Sequence, residues 1–312
     1  MRVAFLVPGL ELTGGVGVAI GHAARLRSEH GFDAEIVIAR DDRSAPEHRD
    51  PLLAGFPIRT LDEAAAGEPF DVAIATWWET TLSLHQLPAA RYAYFVQSME
   101  DRFYGATEPL ARAAAMTHAL PLAQITIASW IAEQLAALRP GAATVPIVRN
   151  GIDKQTFTAE GRVAADGPLR IVIEGSPAVA LKGVPEAIAA ARAMVEPAHV
   201  TLVAADRAAA DREAAHVDRV LGPLSAERMA ELYRESDVLL KLSRVEGMAG
   251  PPIEAFHCGA TVVTTPVTGH DEYIVDGENA LVTSWDDERG TARLLDLLAT
   301  DRELLARLEA GA

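Results

Sequence analysis

Apolar positions along the chain follow a regular alternation. Short runs rich in Val, Ile and Leu alternate with longer stretches rich in Ala, Leu, Arg and Glu through the whole sequence. This alternation is typical of βα units around a parallel sheet. The apolar runs are nearly unbroken, which predicts strands covered by helices on both faces of a sheet. The pattern therefore predicts an α/β fold of doubly wound, Rossmann-like sheets.

The first half of the chain contains seven predicted strands. They lie at Val3–Val7, Glu35–Ala39, Ile58–Leu61, Asp71–Thr76, Tyr92–Gln97, Ile125–Ala128 and Pro146–Val148. Helices are predicted at Val16–Glu29 and Ser129–Leu138, with Ser129 as the N-cap of the second helix.

The second half repeats the pattern after a stretch of Gly, Ala, Thr and charged residues at Asp153–Asp166. Its predicted strands are Leu169–Glu174, Val200–Ala204, Val238–Leu242, Thr261–Thr264 and Ala280–Val282, and its predicted helices are Val184–Val195, Ala226–Glu235, Pro252–His257 and Asp287–Leu298. Ser225 is the predicted N-cap of the helix over Ala226–Glu235. We therefore expect a domain over residues 1–150, a linker over 151–168 and a second domain over 169–312.

Composition narrows the classes of function. The 312 residues carry a formal charge of −16, of which −5 falls on residues 1–150 and −11 on 151–312, and no basic patch is visible. Such a surface repels phosphate backbones, so nucleic acid is not an expected partner. Cys258 is the single cysteine, which excludes an internal disulfide framework and favours the reducing cytoplasm.

No membrane or export segment is predicted. The longest uncharged run, Ala113–Ala132, is interrupted by His118, Pro121 and Gln124. It is therefore predicted to form two buried elements and not a membrane span. The apolar start of the chain ends at Pro8 without a cleavage site of small residues. A peripheral association with a membrane stays open.

Glycines follow the first predicted strand. Gly14 and Gly15 precede a helix, where free N–H groups and the positive end of the helix dipole suit a phosphate group. The alternative is a loop that only needs positive φ angles. An NAD site is disfavoured because the glycine spacing departs from the dinucleotide motif, and because Arg40 stands where an acid would hold the ribose.

Two acids lie eight residues apart in the second half. Glu246 should stand in a loop and Glu254 one turn into a helix that Pro251 and Pro252 begin. Both carboxylates, and the N–H groups of Met248, Ala249 and Gly250, can then face one ligand. Carboxylates bind hydroxyls and amides bind phosphate or sugar oxygens, which together favour a nucleotide-sugar. The alternative is a pair of solvated surface acids.

Lys182 stands where the first helix of the second half should begin. A lysine there opposes the helix dipole unless an anion lies beside it. The alternative is a solvated surface lysine. The nine histidines show no metal-binding spacing, so no metal ion is expected.

Four phrases in this order resemble one family, the retaining GT-B glycosyltransferases of family four, also described as glycosyl transferases group 1. The phrases cover nearly the whole chain: Gly14–Val16, Val148–Phe157, Ser236–Ser243, and Glu246–Glu254 with its continuation to Val282. The resemblance implies two Rossmann-like domains that face a cleft and a nucleoside-diphosphate sugar as donor.

The resemblance also implies roles for individual residues. Glu254 would hold the ribose hydroxyls, Glu246 the hydroxyls of the donor sugar, and Lys182 the leaving diphosphate. The amides of Met248, Ala249 and Gly250 would bind sugar and phosphate oxygens, the backbone around Leu224 would read the base, and Gly14 and Gly15 would close on the diphosphate. In such enzymes the diphosphate itself assists a front-side attack, and neither a metal nor another cofactor is needed.

Several positions depart from the family. The Arg that usually precedes the lysine is replaced by Ser176 or Pro177, so Arg149 and Arg244 are candidates for the missing charge. Gln97, an acceptor-side candidate, stands where a His is common. The phrase Tyr94–Glu100 resembles the subset that contains rhamnan-type rhamnosyltransferases. Met248 and Ala249 replace Phe-Gly in the wall of the sugar pocket.

The sequence thus predicts a cytoplasmic transferase of polysaccharide or glycoconjugate biosynthesis. It would move a hexose or deoxyhexose to a glycan, lipid-linked or small-molecule acceptor that is held by the first domain. Two alternatives stay open: a nucleotide-sugar epimerase of the same fold, and a non-catalytic partner that binds a nucleotide-sugar.

Overall fold

The chain divides into two compact units, each with its own sheet. The structure, a computed structural model, describes residues 1–10, 14–40, 53, 55–163 and 167–312. The units are Met1–Asn150 and Gly151–Ala312. Each contains a six-stranded sheet in which all neighbouring strands are parallel. The prediction of an α/β fold with two doubly wound sheets is confirmed.

Unit 1 has the strand order β3-β2-β1-β4-β5-β6. Its strands are β1 (Arg2–Val7), β2 (Asp33–Ile38), β3 (Ile58–Thr60), β4 (Phe70–Ala75), β5 (Ala89–Val96) and β6 (Ala123–Thr126). Its helices are α1 (Gly14–Ser28), α2 (Leu61–Ala65), α3 (Trp78–Ser83), α4 (Pro109–His118) and α5 (Ser129–Leu138).

Unit 2 has the strand order β12-β11-β10-β7-β8-β9. Its strands are β7 (Leu169–Glu174), β8 (Ala198–Val203), β9 (Arg219–Leu221), β10 (Val238–Lys241), β11 (Thr261–Thr264) and β12 (Ala280–Val282). Its helices are α6 (Val184–Arg192), α7 (Arg207–Asp211), α8 (Ala226–Glu235), α9 (Gly250–His257), α10 (Glu288–Thr300) and α11 (Arg302–Gly311).

The alternation of strand side chains explains the core of unit 2. In β7, Ile171 and Ile173 belong to the apolar cluster on one face, whereas Val172 belongs to the cluster on the other face. In β10, Leu240 and Leu239 divide in the same way. Each of these side chains contributes roughly 1.5–3 kcal/mol by burial. Because both faces are apolar, helices must cover both, which is why the strands read as unbroken apolar runs.

The sheets have a switch point where ligands of such folds usually bind. In each unit the first and fourth strands in chain order are neighbours, β1 with β4 and β7 with β10. The strand order reverses there, so the crossing helices leave to opposite sides and a crevice opens at the carboxyl ends of the two strands.

Some expected elements differ from the structure. The predicted strand Pro146–Val148 is wrong, because only Ile147 forms an isolated bridge with Thr126. Ser129 is the first helical residue of α5, and Ala128, whose backbone is extended, takes the N-cap position that was predicted for Ser129. Strand β9 was not predicted, since Arg219 is exposed, Val220 and Leu221 are only partly buried, and the three residues carry a weak apolar signal. The predicted N-cap Ser225 is confirmed, with its side chain accepting from the amide of Arg228.

Candidate active site

Two charged residues that the sequence analysis did not single out lie at the switch point of unit 2. Glu174 ends β7 and Lys241 ends β10, and these strands are neighbours. The Lys241 Nζ atom lies 2.6 Å from Oε2 of Glu174 and 3.3 Å from its backbone oxygen. Lys241 is 2% exposed, so its charge is balanced inside the protein. The pairing joins residues 67 positions apart, which no local pattern indicates.

Lys182 and Glu246 are in direct contact beside this pair. The Lys182 Nζ atom lies 2.9 Å from Glu246 Oε1, and Lys241 Nζ lies 3.7 Å from the same oxygen. Two of the chain's three lysines therefore flank one carboxylate. The anion that accompanies Lys182 in the structure is thus Glu246. The side chain of Lys182 is 35% exposed, so this lysine is both paired and partly solvated.

Lys182 precedes α6 instead of opening it. It ends a 3-10 turn over Ala180–Lys182, and Gly183 follows in a left-handed conformation at the N-cap of α6. The φ angle of Gly183 is +63°, and a Cβ atom there would lie 2.0 Å from the carbonyl oxygen of Leu242. Only glycine fits, and this close approach holds the turn against the end of β10.

Glu246 and Glu254 occupy the predicted elements. Glu246 lies in the loop before α9, whose first turn contains Pro251 and Pro252, and Glu254 lies in the helix. Ala249 is the N-cap and Gly250 the first helical residue, so this helix N-terminus offers the N–H groups of Ala249 and Gly250, since Pro251 and Pro252 have none. Met248 lies one residue before the N-cap. The prediction that Glu246 lies in a loop and Glu254 in the helix that follows it is confirmed.

The two acids have opposite electrostatic environments. Burial raises the pKa of Glu246, but the Lys241 and Lys182 ammonium groups outweigh it and hold the pKa below its usual value. Burial and then the Glu174 carboxylate raise the pKa of Glu254 to about 7, while Lys241 opposes them. Glu246 is therefore ionised at neutral pH, and Glu254 is poised between its two forms.

Tyr233 is a further polar group near Glu254 that the sequence analysis missed. The side chain is fully buried, and its hydroxyl has no hydrogen-bond partner among the described residues. Burial, then the charges of Glu254 and Glu174, raise its pKa well above the usual value. Leu224 packs against the apolar cluster that contains Tyr233.

Arg244 and Arg149, the candidates to replace the charge of the missing family arginine, contact groups other than Glu246 and Lys182. Arg244 forms ion pairs with Asp286 and with Glu186, so two acids already balance it. Arg149 belongs to unit 1, where its guanidinium lies 3.3 Å from the hydroxyl oxygen of Ser129.

Gly14 and Gly15 are the first residues of α1 in unit 1, and both are exposed. Neither has a positive φ angle, so the alternative of a loop that needs one is wrong. Gln97 donates from Nε2 to the backbone oxygen of Gly15 at 3.0 Å, which connects the loop after β5 to the start of α1. The neighbouring positions 11–13 lie outside the described residues. The assignment of both glycines to the diphosphate stays a prediction.

A buried polar cluster fixes the loop that carries Gln97. The hydroxyl of Tyr94 donates to Glu100, and His118 Nε2 lies 3.2 Å from the same oxygen. All three side chains are at most 1% exposed. Burial raises the pKa of Glu100, and the hydrogen bonds from His118 and Tyr94 oppose the rise.

Aromatic side chains collect at the carboxyl edge of the sheet in unit 1. Trp77 stacks on Phe103 at 5.8 Å between ring centroids, Trp78 donates to the hydroxyl of Tyr104, and Arg102 lies over the ring of Trp130. We call these five rings the aromatic edge. Three of the chain's four tryptophans belong to it, although aromatic residues make up only 5% of the chain. Tertiary structure was needed to find it, because the rings follow three different strands.

Two general features complete the description. None of the helices in the described ranges is both long and apolar enough to cross a membrane. Among the same residues, no group of three or more His, Cys, Asp or Glu side chains is placed to hold a metal ion.

Comparisons with known proteins agree with this architecture. Residues 178–312 match the family described as glycosyl transferases group 1. The O-antigen biosynthesis protein RfbC of Myxococcus xanthus is 29% identical over 96% of this chain and 24% of that protein. A D-inositol 3-phosphate glycosyltransferase of Stackebrandtia nassauensis is 37% identical over 30% of this chain and 21% of that protein. The chain thus spans about a quarter of the length of these relatives.

The fold is shared with solved glycosyltransferase structures. Anabaena HepE in complex with UDP and glucose superposes with a TM-score of 0.78 at 16% identity, over 100% of this chain and 93% of that chain. Sheet order and structural likeness agree on one conclusion: the chain has the GT-B fold, and its residues 178–312 are similar to the glycosyl transferases group 1 family.

Proposed function

We propose that the chain is a retaining glycosyltransferase that moves a hexose or deoxyhexose from a nucleoside-diphosphate sugar to an acceptor. The observation that carries this proposal is the Lys182–Glu246 pair at the switch point of unit 2, beside Glu254 and the N-terminus of α9. One cation, two carboxylates and a helix N-terminus match the diphosphate and the hydroxyls of such a donor. The complexes of HepE with UDP-glucose support a donor of this class.

Each group has a chemical task in this proposal. Glu254, in its ionised form, accepts hydrogen bonds from the ribose hydroxyls, and Glu246 accepts them from the donor sugar. The amides of Met248, Ala249 and Gly250 donate to sugar and phosphate oxygens, and the backbone near Leu224 contacts the base. Lys182 compensates the negative charge that develops on the diphosphate.

The proposed reaction exchanges one bond for another on the same face of the sugar. The bond between the anomeric carbon and the β-phosphate oxygen breaks, and the acceptor oxygen bonds to the anomeric carbon as its proton passes to the departing diphosphate. Fixed positive charge and amide dipoles aimed at the leaving group supply the main stabilisation of the transition state. We propose that no metal ion takes part, because Lys182 and the amides carry this task.

The acceptor is proposed to bind unit 1 at its aromatic edge, near Gln97. Ring faces carry negative charge density and attract the C–H groups of a sugar ring, while the Glu79 carboxylate that accepts from Trp77 Nε1 can also accept from hydroxyls. A glycan acceptor agrees with the name of RfbC, an O-antigen biosynthesis protein. Trp77→Ala should raise the acceptor KM at least about tenfold, whereas Trp285→Ala, an exposed ring in unit 2, should not change it.

A donor panel tests the proposal as a whole. UDP-, GDP-, ADP- and TDP-sugars are offered to the full chain, binding is measured by calorimetry, and slow hydrolysis in the absence of acceptor is followed by mass spectrometry. We expect one base to be preferred, turnover to be lost in Glu246→Gln, and turnover to be unchanged in Glu278→Gln, an exposed acid of the same unit. Retention is read from the anomeric coupling constant of the product.

The same panel separates the two alternatives. An epimerase would return a nucleotide-sugar of changed configuration, with the nucleotide still attached. A non-catalytic partner would bind a nucleotide-sugar without releasing nucleoside diphosphate. The absence of both binding and turnover for all four donors would refute the proposal.

A further inference from the structure

The two ammonium groups beside Glu246 differ in their freedom to move. The side chain of Lys182 is 35% exposed, whereas that of Lys241 is 2% exposed. Lys241 is also held by both a carboxylate oxygen and the backbone oxygen of Glu174, at 2.6 and 3.3 Å. Lys182 can therefore swing into solvent, and Lys241 cannot.

The proposed reaction places two demands on Lys182. In the structure its ammonium is bound to Glu246, 2.9 Å away, yet the reaction needs that ammonium at the diphosphate. When it leaves, the Glu246 carboxylate, whose side chain is 13% exposed, stays behind. A largely buried carboxylate that loses its paired cation is strongly disfavoured unless another charge balances it. Without a second cation, Glu246 would hold Lys182 back or take up a proton.

Lys241 supplies that second cation. Its Nζ atom lies 3.7 Å from the Glu246 oxygen that contacts Lys182. Burial lowers the pKa of Lys241, but Glu174 and Glu246 outweigh it and raise the pKa, so the group stays charged. Among the described residues, Tyr273 also faces Glu246; burial and the Glu246 charge raise the pKa of Tyr273, so it stays neutral. The Ser243 side chain adds a smaller contribution that lowers the pKa of Glu246.

We propose that Lys241 is a positioning residue, a fixed counter-charge that keeps Glu246 ionised and in place and thereby frees Lys182 to bind the diphosphate of the donor. The part that concerns Lys182 and diphosphate rests on the proposed function. The part that concerns Glu246 holds for the ligand-free protein and is tested there.

The ligand-free test removes Lys182 to imitate its departure. The full chain is labelled with ¹³C-glutamate, the Glu246 resonance is identified with Glu246→Gln, and its titration is followed by NMR. In Lys182→Met we expect Glu246 to stay ionised at pH 7, because Lys241 remains. In Lys182→Met/Lys241→Met we expect its pKa to rise above 7. Lys154→Met, the third lysine and exposed, should leave the titration unchanged.

Two results of this titration would overturn the proposal. One is a Glu246 that is already protonated at pH 7 in Lys182→Met, and the other is a double variant that titrates like Lys182→Met. Lys241→Gln, which keeps a donor for Glu174 but no charge, replaces Lys241→Met if the methionine variant does not fold.

The binding test uses UDP, GDP, ADP and TDP with the full chain in a calorimeter. We expect Lys241→Gln to weaken the binding of the preferred nucleoside diphosphate about tenfold, or about 1.4 kcal/mol. It should weaken the binding of the matching nucleoside far less. In the Glu246→Gln background this loss should vanish, because no carboxylate then retains Lys182. An equal loss of affinity in both backgrounds would show that Lys241 has only a structural role, and would overturn the proposal. If the unsubstituted chain binds none of the four, the proposed function fails while the titration still decides the role of Lys241.

Discussion

Glu254 is a carboxyl group whose surroundings oppose its charge. Burial and the neighbouring Glu174 raise its pKa to about 7. In the proposed complex, hydrogen bonds from the ribose hydroxyls favour the ionised form of Glu254, so donor binding is coupled to the loss of its proton. A raised pKa in the free protein therefore costs affinity at low pH, and the cost disappears as the pH rises through 7.

We predict that the affinity for a nucleotide-sugar falls about tenfold for each pH unit below about 7. Calorimetry between pH 5.5 and 8.5, in buffers of different ionisation enthalpy, should detect one proton released near pH 6. A nucleotide-sugar is the right probe because its diphosphate does not titrate in this range. Glu254→Gln should bind more weakly at pH 8 and without the pH slope. A slope that survives in Glu254→Gln would assign the titration to another group.

Lys182 and Lys154 form a matched pair of lysines for testing the diphosphate contact. Lys182 lies at Glu246, whereas Lys154 is exposed in another part of unit 2. Lys182→Met should weaken the binding of a nucleoside diphosphate roughly 10- to 100-fold, since a charge-assisted contact to phosphate is lost. It should change the binding of the nucleoside little. Lys154→Met should change neither. Equal losses for nucleoside and diphosphate would contradict the assigned contact.

At the scale of elements, the turn before α6 is held by its backbone. Arg244 donates its amide to the backbone oxygen of Leu181 at 2.8 Å, and Gly183 lies against the backbone of Leu242. These two contacts fix the turn against the end of β10. The packing therefore fixes the backbone of Lys182, and only its side chain can change position.

Gly183→Ala should cost about 3–5 kcal/mol of unfolding free energy, because a strained φ angle adds to an overlap with Leu242. Gly277→Ala is the matched control. Its φ angle is also positive, +78°, but nothing lies within 4 Å of its Cβ position. It should cost only about 1–2 kcal/mol. Urea unfolding measures both, and similar losses would show that the overlap is relieved elsewhere.

At the scale of the whole molecule, all residues proposed to bind the donor, except Gly14 and Gly15, lie in unit 2. That unit has a complete sheet and apolar clusters on both of its faces. Phe157, which precedes β7, belongs to one of these clusters, so the unit has to begin before it.

We predict that residues 151–312 fold alone and bind the same nucleoside diphosphate as the full chain, with an affinity within about tenfold. Circular dichroism and cooperative urea unfolding measure the folding, and calorimetry measures the binding. Lys182→Met in this piece should reproduce its effect in the full chain. A piece that folds but does not bind would show that unit 1 supplies an indispensable contact.

The sequence by itself determined the two sheets and the local geometry around α9. Strand β7 and helix α8 have the predicted bounds because apolar runs and a serine N-cap are local signals. The two prolines in the first turn of α9 are also a local signal, which predicts Glu246 in a loop and Glu254 in a helix independently of tertiary contacts. Short, partly buried elements such as β9 lack such a signal, and their existence depends on a neighbouring strand.

Only the tertiary structure decided how the charges pair. The contact between Glu174 and Lys241, and the presence of both lysines at Glu246, arise because parallel strands β7 and β10 end side by side. The aromatic edge has the same origin, in strands that end at one side of the sheet in unit 1. Residues far apart in sequence meet only through the strand order, and strand order is a property of the packed sheet.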